Sequence, residues 1–295
     1  MQPERRDCGS LSKRCSQPIA VERGFEIDSR SKQRPLQITD VIGSIPYRLA
    51  LAGGWIDQPF VSRLDPRPPG SMVVVGLTPD SFFMERSGIA TGTRRIALQR
   101  WRGRLPDRPA AELTRELYEA ENKGKAEPSG SQDMIGLIYP GINRLDYDYS
   151  VNGGVFPSHI ETLRGVRVCR WLQKVLHLLP VAPRPEGYNP LGIKRLNRRW
   201  VRRLGQSGQD CFAAIAAMDV KALGRSMNDC MSAWEALLPH TVRHPLVTAD
   251  LKGLLQVYQS RYPGALYSGC GGGYLIIVSE QRVPGTLQVT IRPAS

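Results

Sequence analysis

Apolar and polar residues alternate from Ile38 toward Leu77, most clearly in "ITDVIGSIPYRLALAGGW" around Arg48. Period-two alternation predicts strands. The turn-rich "DPRPPGS" interrupts the stretch, and "MVVVGL" (Met72–Leu77) is a short β-branched run, which predicts a buried strand. The period becomes helical near Thr91, where "TRRIALQRWRG" sets Ile96, Leu98 and Trp101 as apolar points. A second helix is predicted over Asp107–Gly124, with Asp107 as N-cap, Pro109 in the first turn, a Leu113–Leu117–Ala120 stripe and a stop at Gly124. "SGSQDMIGLIYPG" then passes from a small-residue turn into an apolar run.

From Ile160 the pattern is mainly helical. "TLRGVRVCRWLQKVLHLLP" places Val168, Leu172, Val175 and Leu179 on one helical face. Pro180–Pro190 reads as a loop, and helical patterns follow at 190–205, 209–218, 219–237 and 248–260. "ALYSGCGGGYLIIVSE" predicts a Gly-rich turn and a strand, and "LQVTIRP" a last strand. There is no internal repeat. Met1–Gln37, rich in Ser, Arg, Lys and Gln, reads as a disordered or loosely attached leader.

Composition narrows the classes. With 295 residues and 41% hydrophobic residues the chain has room for one large domain or two moderate ones. No apolar run reaches the roughly 18 residues that span a bilayer, and the polar N-terminus lacks a signal-peptide core. Both point to a soluble cytoplasmic protein with no membrane partner. The six cysteines form no CxxC pair, so reduced thiols are expected, with Cys169, Cys211 and Cys230 as buried small hydrophobes. The four histidines are not spaced as zinc ligands.

The formal charge of +13 points to anionic partners. Between Arg164 and Arg203 stand eleven Lys/Arg and one acid, Glu186. Arg195, Arg198, Arg199, Arg202 and Arg203 fall on one side of a predicted helix, with Leu196, Trp200 and Leu204 opposite. A solvated face, a site for an anionic ligand and a nucleic-acid contact all fit this pattern. No recognisable nucleic-acid-binding motif accompanies the charge, which argues against nucleic acid as the main partner.

Three segments carry candidate chemistry. In Arg48-Leu-Ala-Leu-Ala-Gly-Gly54-Trp55-Ile-Asp57 a strand ends in paired glycines and an acid, a pattern that brings backbone close to a ligand and offers a carboxylate to vicinal hydroxyls. In Ser129-Gly-Ser-Gln132-Asp133 an acid follows a tight turn and leads into apolar sequence, where a neighbouring Arg would hold it as a base. Ser268-Gly269-Cys270-Gly271-Gly272-Gly273 can converge backbone N–H groups on an anion.

In their order along the chain these segments resemble the GHMP kinase superfamily. "RLALAGGWIDQP" and "GSQD" are most similar to elements of its sugar-kinase branch, the L-fucokinases and heptose 7-phosphate kinases. "YSGCGGGY" resembles the family's third motif, and Leu223–Asn228 resembles a pattern of its C-terminal helices. The resemblance covers about residues 43–280. It implies an α+β, two-lobed fold: a mixed-sheet N-terminal lobe over 38–160, a helical C-terminal lobe over a small antiparallel sheet in 161–295, and the site between them.

It also implies roles. Asp133 matches the catalytic aspartate and Arg48 the basic residue beside it. Asp57, with Trp55, Gly54 and Gln132, matches the substrate-binding set. Glu121 and Thr91 match magnesium ligands. Gly88, Thr91, Gly92 and Thr93 fall at the phosphate loop, and Gly269, Gly271 and Gly272 in the third motif. ATP and Mg2+ are the implied cofactors, and a sugar or sugar phosphate is the implied substrate. The loop Ser87–Thr93 departs from the family form: Ala90 replaces a glycine, Gly92 stands where serine is usual, and the upstream proline–glycine element is missing. Only 31 positions separate Asp57 from Gly88, a short interval for this family. Two functions therefore stand as expectations: an ATP-dependent sugar kinase, or a catalytically altered relative that binds or senses sugar.

Overall fold

The computed structural model describes residues 44–293, apart from 66, 81, 82 and 270. The expected leader, Met1–Gln37, and the cysteines at 8, 15 and 270 lie outside the described residues.

Two antiparallel sheets organise the chain. The first has the order β1 (Tyr47–Ala50), β2 (Gly70–Leu77), β3 (Ile142–Tyr147) and β4 (His159–Leu163). In the second, β5 (Leu176–Ala182) and β6 (Gly264–Tyr267) flank β7 (Gly273–Val278). Among the described residues the helices are α1 (Pro59–Ser62), α2 (Thr91–Arg100), α3 (Ala110–Asn122), α4 (Gln132–Ile138), α5 (Val166–Val175), α6 (Arg198–Ala217), α7 (Val220–Leu237) and α8 (Leu251–Arg261). None is long and apolar enough to cross a membrane.

All eight residues of β2 are buried. Successive strand residues face opposite ways, so both faces are covered, as the continuous apolar run requires. α4 and α6 both pack on β2. One hydrophobic core joins the two sheets, including Val73, Tyr147, Leu178, Trp234 and Ile276. A second cluster, built on Ala97, Leu113, Leu117 and Met134, unites α2, α3 and α4. The three long C-terminal helices start at side-chain caps: Asn197 accepts from Trp200 N at 3.2 Å, Asp219 from Ala222 N at 2.9 Å and Asp250 from Gly253 N at 2.9 Å.

Several expectations change. The patterns at 190–205 and 209–218 become one helix, α6, starting only at Arg198, so Arg195 and Leu196 precede it. Gly205 and Gly208, where the two expected patterns meet, are contact points inside the helix. A Cβ at 208 would stand 1.9 Å from Ser71 O, and one at 205 would stand 2.8 Å from Gly70 Cα. Leu179 is not on a helix face, because α5 stops at Val175 and Leu176–Ala182, including Pro180, pairs with β7. Asp107 does not cap α3, whose N-cap is Pro109. Cys211 and Cys230 are buried as expected, whereas Cys169 is half-buried. "LQVTIRP" forms isolated bridges: Leu287 meets β5 at Leu178 and Ile291 meets β2 at Leu77. Crossing from one sheet to the other leaves it too little length beside either to become a strand.

Candidate active site

Arg48 lies on β1 and is 4% exposed. Its side chain runs over α4 at Gly136, where a Cβ would stand 1.9 Å from Arg48 Cγ. It donates from Nη2 to Asp133 Oδ1 in a short ion pair, and from Nη1 to Gly88 O at 3.3 Å. Asp133 sits in the first turn of α4, at the positive end of the helix. Thr93 Oγ1 donates to its second oxygen at 3.4 Å. A carboxylate is thus held between a buried guanidinium and a hydroxyl, with its side chain 27% exposed toward open space.

That space is a cavity of about 650 Å³, lined from both halves of the chain. Arg48, Asp133, Gly54, Trp55 and Gln132 form one wall; Gly88, Thr91, Gly92 and Thr93 form another; Glu121 and Gly269 also line it. The Gly54–Trp55 turn is seated on Trp234, whose Nε1 donates to Gly54 O at 2.8 Å. Trp55 adopts a φ of 79°, uncommon outside glycine.

Asp57 is placed differently from the other substrate-set residues. It is fully buried and lies behind the cavity wall. It accepts from Gln132 N at 3.3 Å and from Gln132 Nε2 at 3.4 Å. Gly130 lets the turn close over this carboxyl, since a Cβ there would stand 1.7 Å from Asp57 Oδ2 and would displace it. Desolvation pushes the Asp57 carboxyl from its ordinary 3.8 up to about 7; the Asp133 charge adds to the rise, and the Gln132 backbone bond and Arg48 oppose it.

The two Gly-rich segments pack back to back. Ser268 Oγ donates to Ser87 O at 2.5 Å. A Cβ at 88 would stand 1.9 Å from Ser268 O. Gly271 and Gly272 do not line the cavity; Gly271 lets the turn approach Thr241, where a Cβ would stand 2.1 Å from Thr241 O. Arg184 clamps the turn, donating from Nε to Gly271 O and from Nη2 to Ser268 O, both at 2.8 Å, and it reaches the cavity wall.

Arg86, Arg95, Lys125 and Arg184 add cations to the lining. Arg94, beside Arg95, instead donates to Ile45 O at 3.0 Å and lies over the Tyr47 ring. Sequence reasoning missed Arg184, Arg86, Lys125 and Trp234; the basic run from Arg164 to Arg203, which spans the Pro-rich loop, was the sole signal for the first.

Glu121 bears on a metal. Its side chain is 11% exposed, Oε1 lies 3.4 Å from Lys125 Nζ, and Oε2 is buried with no hydrogen-bond partner. Thr91 Oγ1 accepts from Arg86 N at 3.2 Å. No cluster of three or more His, Cys, Asp or Glu that could hold a metal is present among the described residues. One orphaned carboxylate oxygen fits a cation completed by phosphate oxygens and water, the usual magnesium arrangement.

No protein-family model matches the chain, and no curated protein sequence matches it. Solved structures do. Galactokinase from Lactococcus lactis, complexed with galactose, superposes with a TM-score of 0.58 over 85% of this chain and 93% of that one, at 12% identity. The chain has the GHMP-kinase fold. Mevalonate kinase from L. major, in complex with R-mevalonate, superposes with a TM-score of 0.50 over 86% of this chain and 96% of that one, at 13% identity. A further mevalonate kinase structure gives 0.51 over 85% and 99%, at 11% identity. Within this GHMP-kinase fold Arg48, Asp133 and Thr93 come together with the expected phosphate loop, while Asp57, Gly271 and Gly272 stand behind the walls they were expected to form.

Proposed function

We propose that the chain is an ATP- and Mg2+-dependent kinase that phosphorylates a hydroxyl of a sugar or sugar phosphate. One observation carries the reading: the Asp133 carboxylate, paired to buried Arg48 and touched by Thr93, borders a cavity that the N-terminus of α2 also borders. Phosphoryl transfer needs the attacking hydroxyl oriented and the moving charge neutralised. In this reading Asp133 accepts the hydroxyl's hydrogen bond and takes its proton as the new P–O bond forms and the bond from the γ-phosphorus to the bridging oxygen breaks, with ADP leaving. Arg48 keeps the carboxylate aimed and steadies charge on the transferring group.

The amides of Thr91, Gly92 and Thr93, with Gly88 and Gly269, cradle phosphates at the helix start. Arg86, Arg95 and Arg184 add neutralising charge. Trp55, Gly54 and Gln132 hold the acceptor, with Gln132 positioned in turn by Asp57. Glu121, with Thr91, holds the magnesium, which supplies phosphate charge neutralisation when bound. Residues 38–160 and 161–295 act as two lobes about the site, and cytoplasm is the compartment that supplies such a donor.

Transfer of label from γ-labelled ATP to a panel of sugars and sugar phosphates tests the proposal. Asp133→Ala is expected to abolish transfer while circular dichroism stays unchanged; persistent transfer near the unsubstituted level overturns it. The departures of the Ser87–Thr93 loop and the short interval from Asp57 to Gly88 favour a second reading, a relative that binds or senses sugar without chemistry. Calorimetry separates them, since sugar binding with no binding of ATP–Mg2+ supports the sensor.

A further inference from the structure

The first two turns of α6 carry Arg198, Arg199, Arg202 and Arg203, all exposed. They line a groove of about 520 Å³ whose remaining wall is Gln206, Ser207, Asp210 and, from α7, Asp229. None of these residues borders the catalytic cavity.

The folded chain gains little from this arrangement. Arg198 and Arg202, like Arg199 and Arg203, are neighbours four residues apart, and like charges so placed repel. All four sit in the N-terminal turns, where the helix end is already positive, and the first turn contains no acid. Among the described residues, Asp229 ion-pairs with Arg203 at 2.6 Å, while Arg198, Arg199 and Arg202 have no carboxylate at that range. Arg199 lies over the Trp200 ring and Arg202 acts on Asp65 only through space. Cations concentrated against the charge preference of a helix N-terminus, in a concave site, are expected where a ligand repays the cost.

The geometry points to a binding site for a small anion bearing two or three linked phosphates. From Arg198 to Arg203 the helix rises about 7.5 Å at 1.5 Å per residue, the reach of a di- or triphosphate. Guanidinium forks match phosphate oxygens two by two. The groove volume falls in the small-molecule range. Asp210 and Asp229 also line the groove and would repel a longer polyanion, which disfavours nucleic acid. The inference is independent of the catalytic reading, since it uses none of the cavity residues.

Calorimetric titration of the full chain with inorganic tripolyphosphate tests it, alongside thermal unfolding. Arg198→Ala/Arg202→Ala is expected to weaken one binding event by at least about tenfold and leave any event in the catalytic cavity unaltered. Tripolyphosphate should raise the melting temperature of the unsubstituted chain more than that of the variant. Without ligand the variant should melt at the same temperature or higher, because a repulsion has been removed; this guards against loss of binding through misfolding. Identical isotherms for the two proteins overturn the proposal. So does a DNA duplex that displaces tripolyphosphate from the groove at equal phosphate concentration, which would mark the surface as a nucleic-acid contact.

Discussion

Gly136 leaves room for the side chain of Arg48: a Cβ there would overlap Arg48 Cγ at 1.9 Å. The methylene stem crosses α4 at this point on its way to Asp133. Gly136→Ala should therefore swing the guanidinium away without touching a polar group. A displacement near 1 Å costs on the order of 100-fold in rate, so kcat in the labelled-ATP assay should fall by about that factor while far-UV circular dichroism is kept. An unchanged kcat would mean that Arg48 acts from another position.

Asp57 should make stability fall as pH rises. Its carboxyl titrates near 3.8 when unfolded and about 7 when folded. Below the lower value both states are protonated; between the two, the folded state binds the extra proton. The stabilisation present at low pH is therefore lost as pH climbs through about 7, by up to a few kcal/mol. Melting temperatures of the unsubstituted chain, minus those of Asp57→Asn, should decline from pH 5 to pH 8. A flat difference would show that the group titrates normally.

Glu121→Gln should raise the magnesium concentration needed for half-maximal transfer by about tenfold, with KM for the acceptor little changed. Oε2 is buried and unpartnered, so the melting temperature without metal should hold or rise. Unaltered magnesium dependence would remove Glu121 from the metal site.

Gly208→Ala should be destabilising by about 1–3 kcal/mol or more, because its Cβ would meet the Ser71 carbonyl oxygen at 1.9 Å with backbone on both sides. Urea unfolding monitored on tryptophan fluorescence measures it. Alanine is the better helix former, so a gain in stability would mean that α6 and β2 stand farther apart than described.

Local signals carried much of the fold. The β-branched run at 72–77 lies within β2, and the Leu113–Leu117 stripe lies within α3. Periodicity and turn chemistry are written in adjacent residues, so such elements can be read without the rest of the chain. The order of the three motif segments also pointed to Arg48 and Asp133, and the fold brings that pair together across 85 positions.

What the sequence determined by itself was the set of short-range preferences and a set of candidate site residues. Tertiary structure decided which preferences survived and which groups face the cavity. Leu176–Ala182 became a strand because β7 offered it a ladder, and Gly205 and Gly208 stayed inside a helix because β2 approaches there. Arg184 reached the cavity by bonding a turn 87 positions away, and Asp57 was sealed behind Gly130 and Gln132. Burial and contact depend on which distant segments pack against a residue, and no local pattern encodes that.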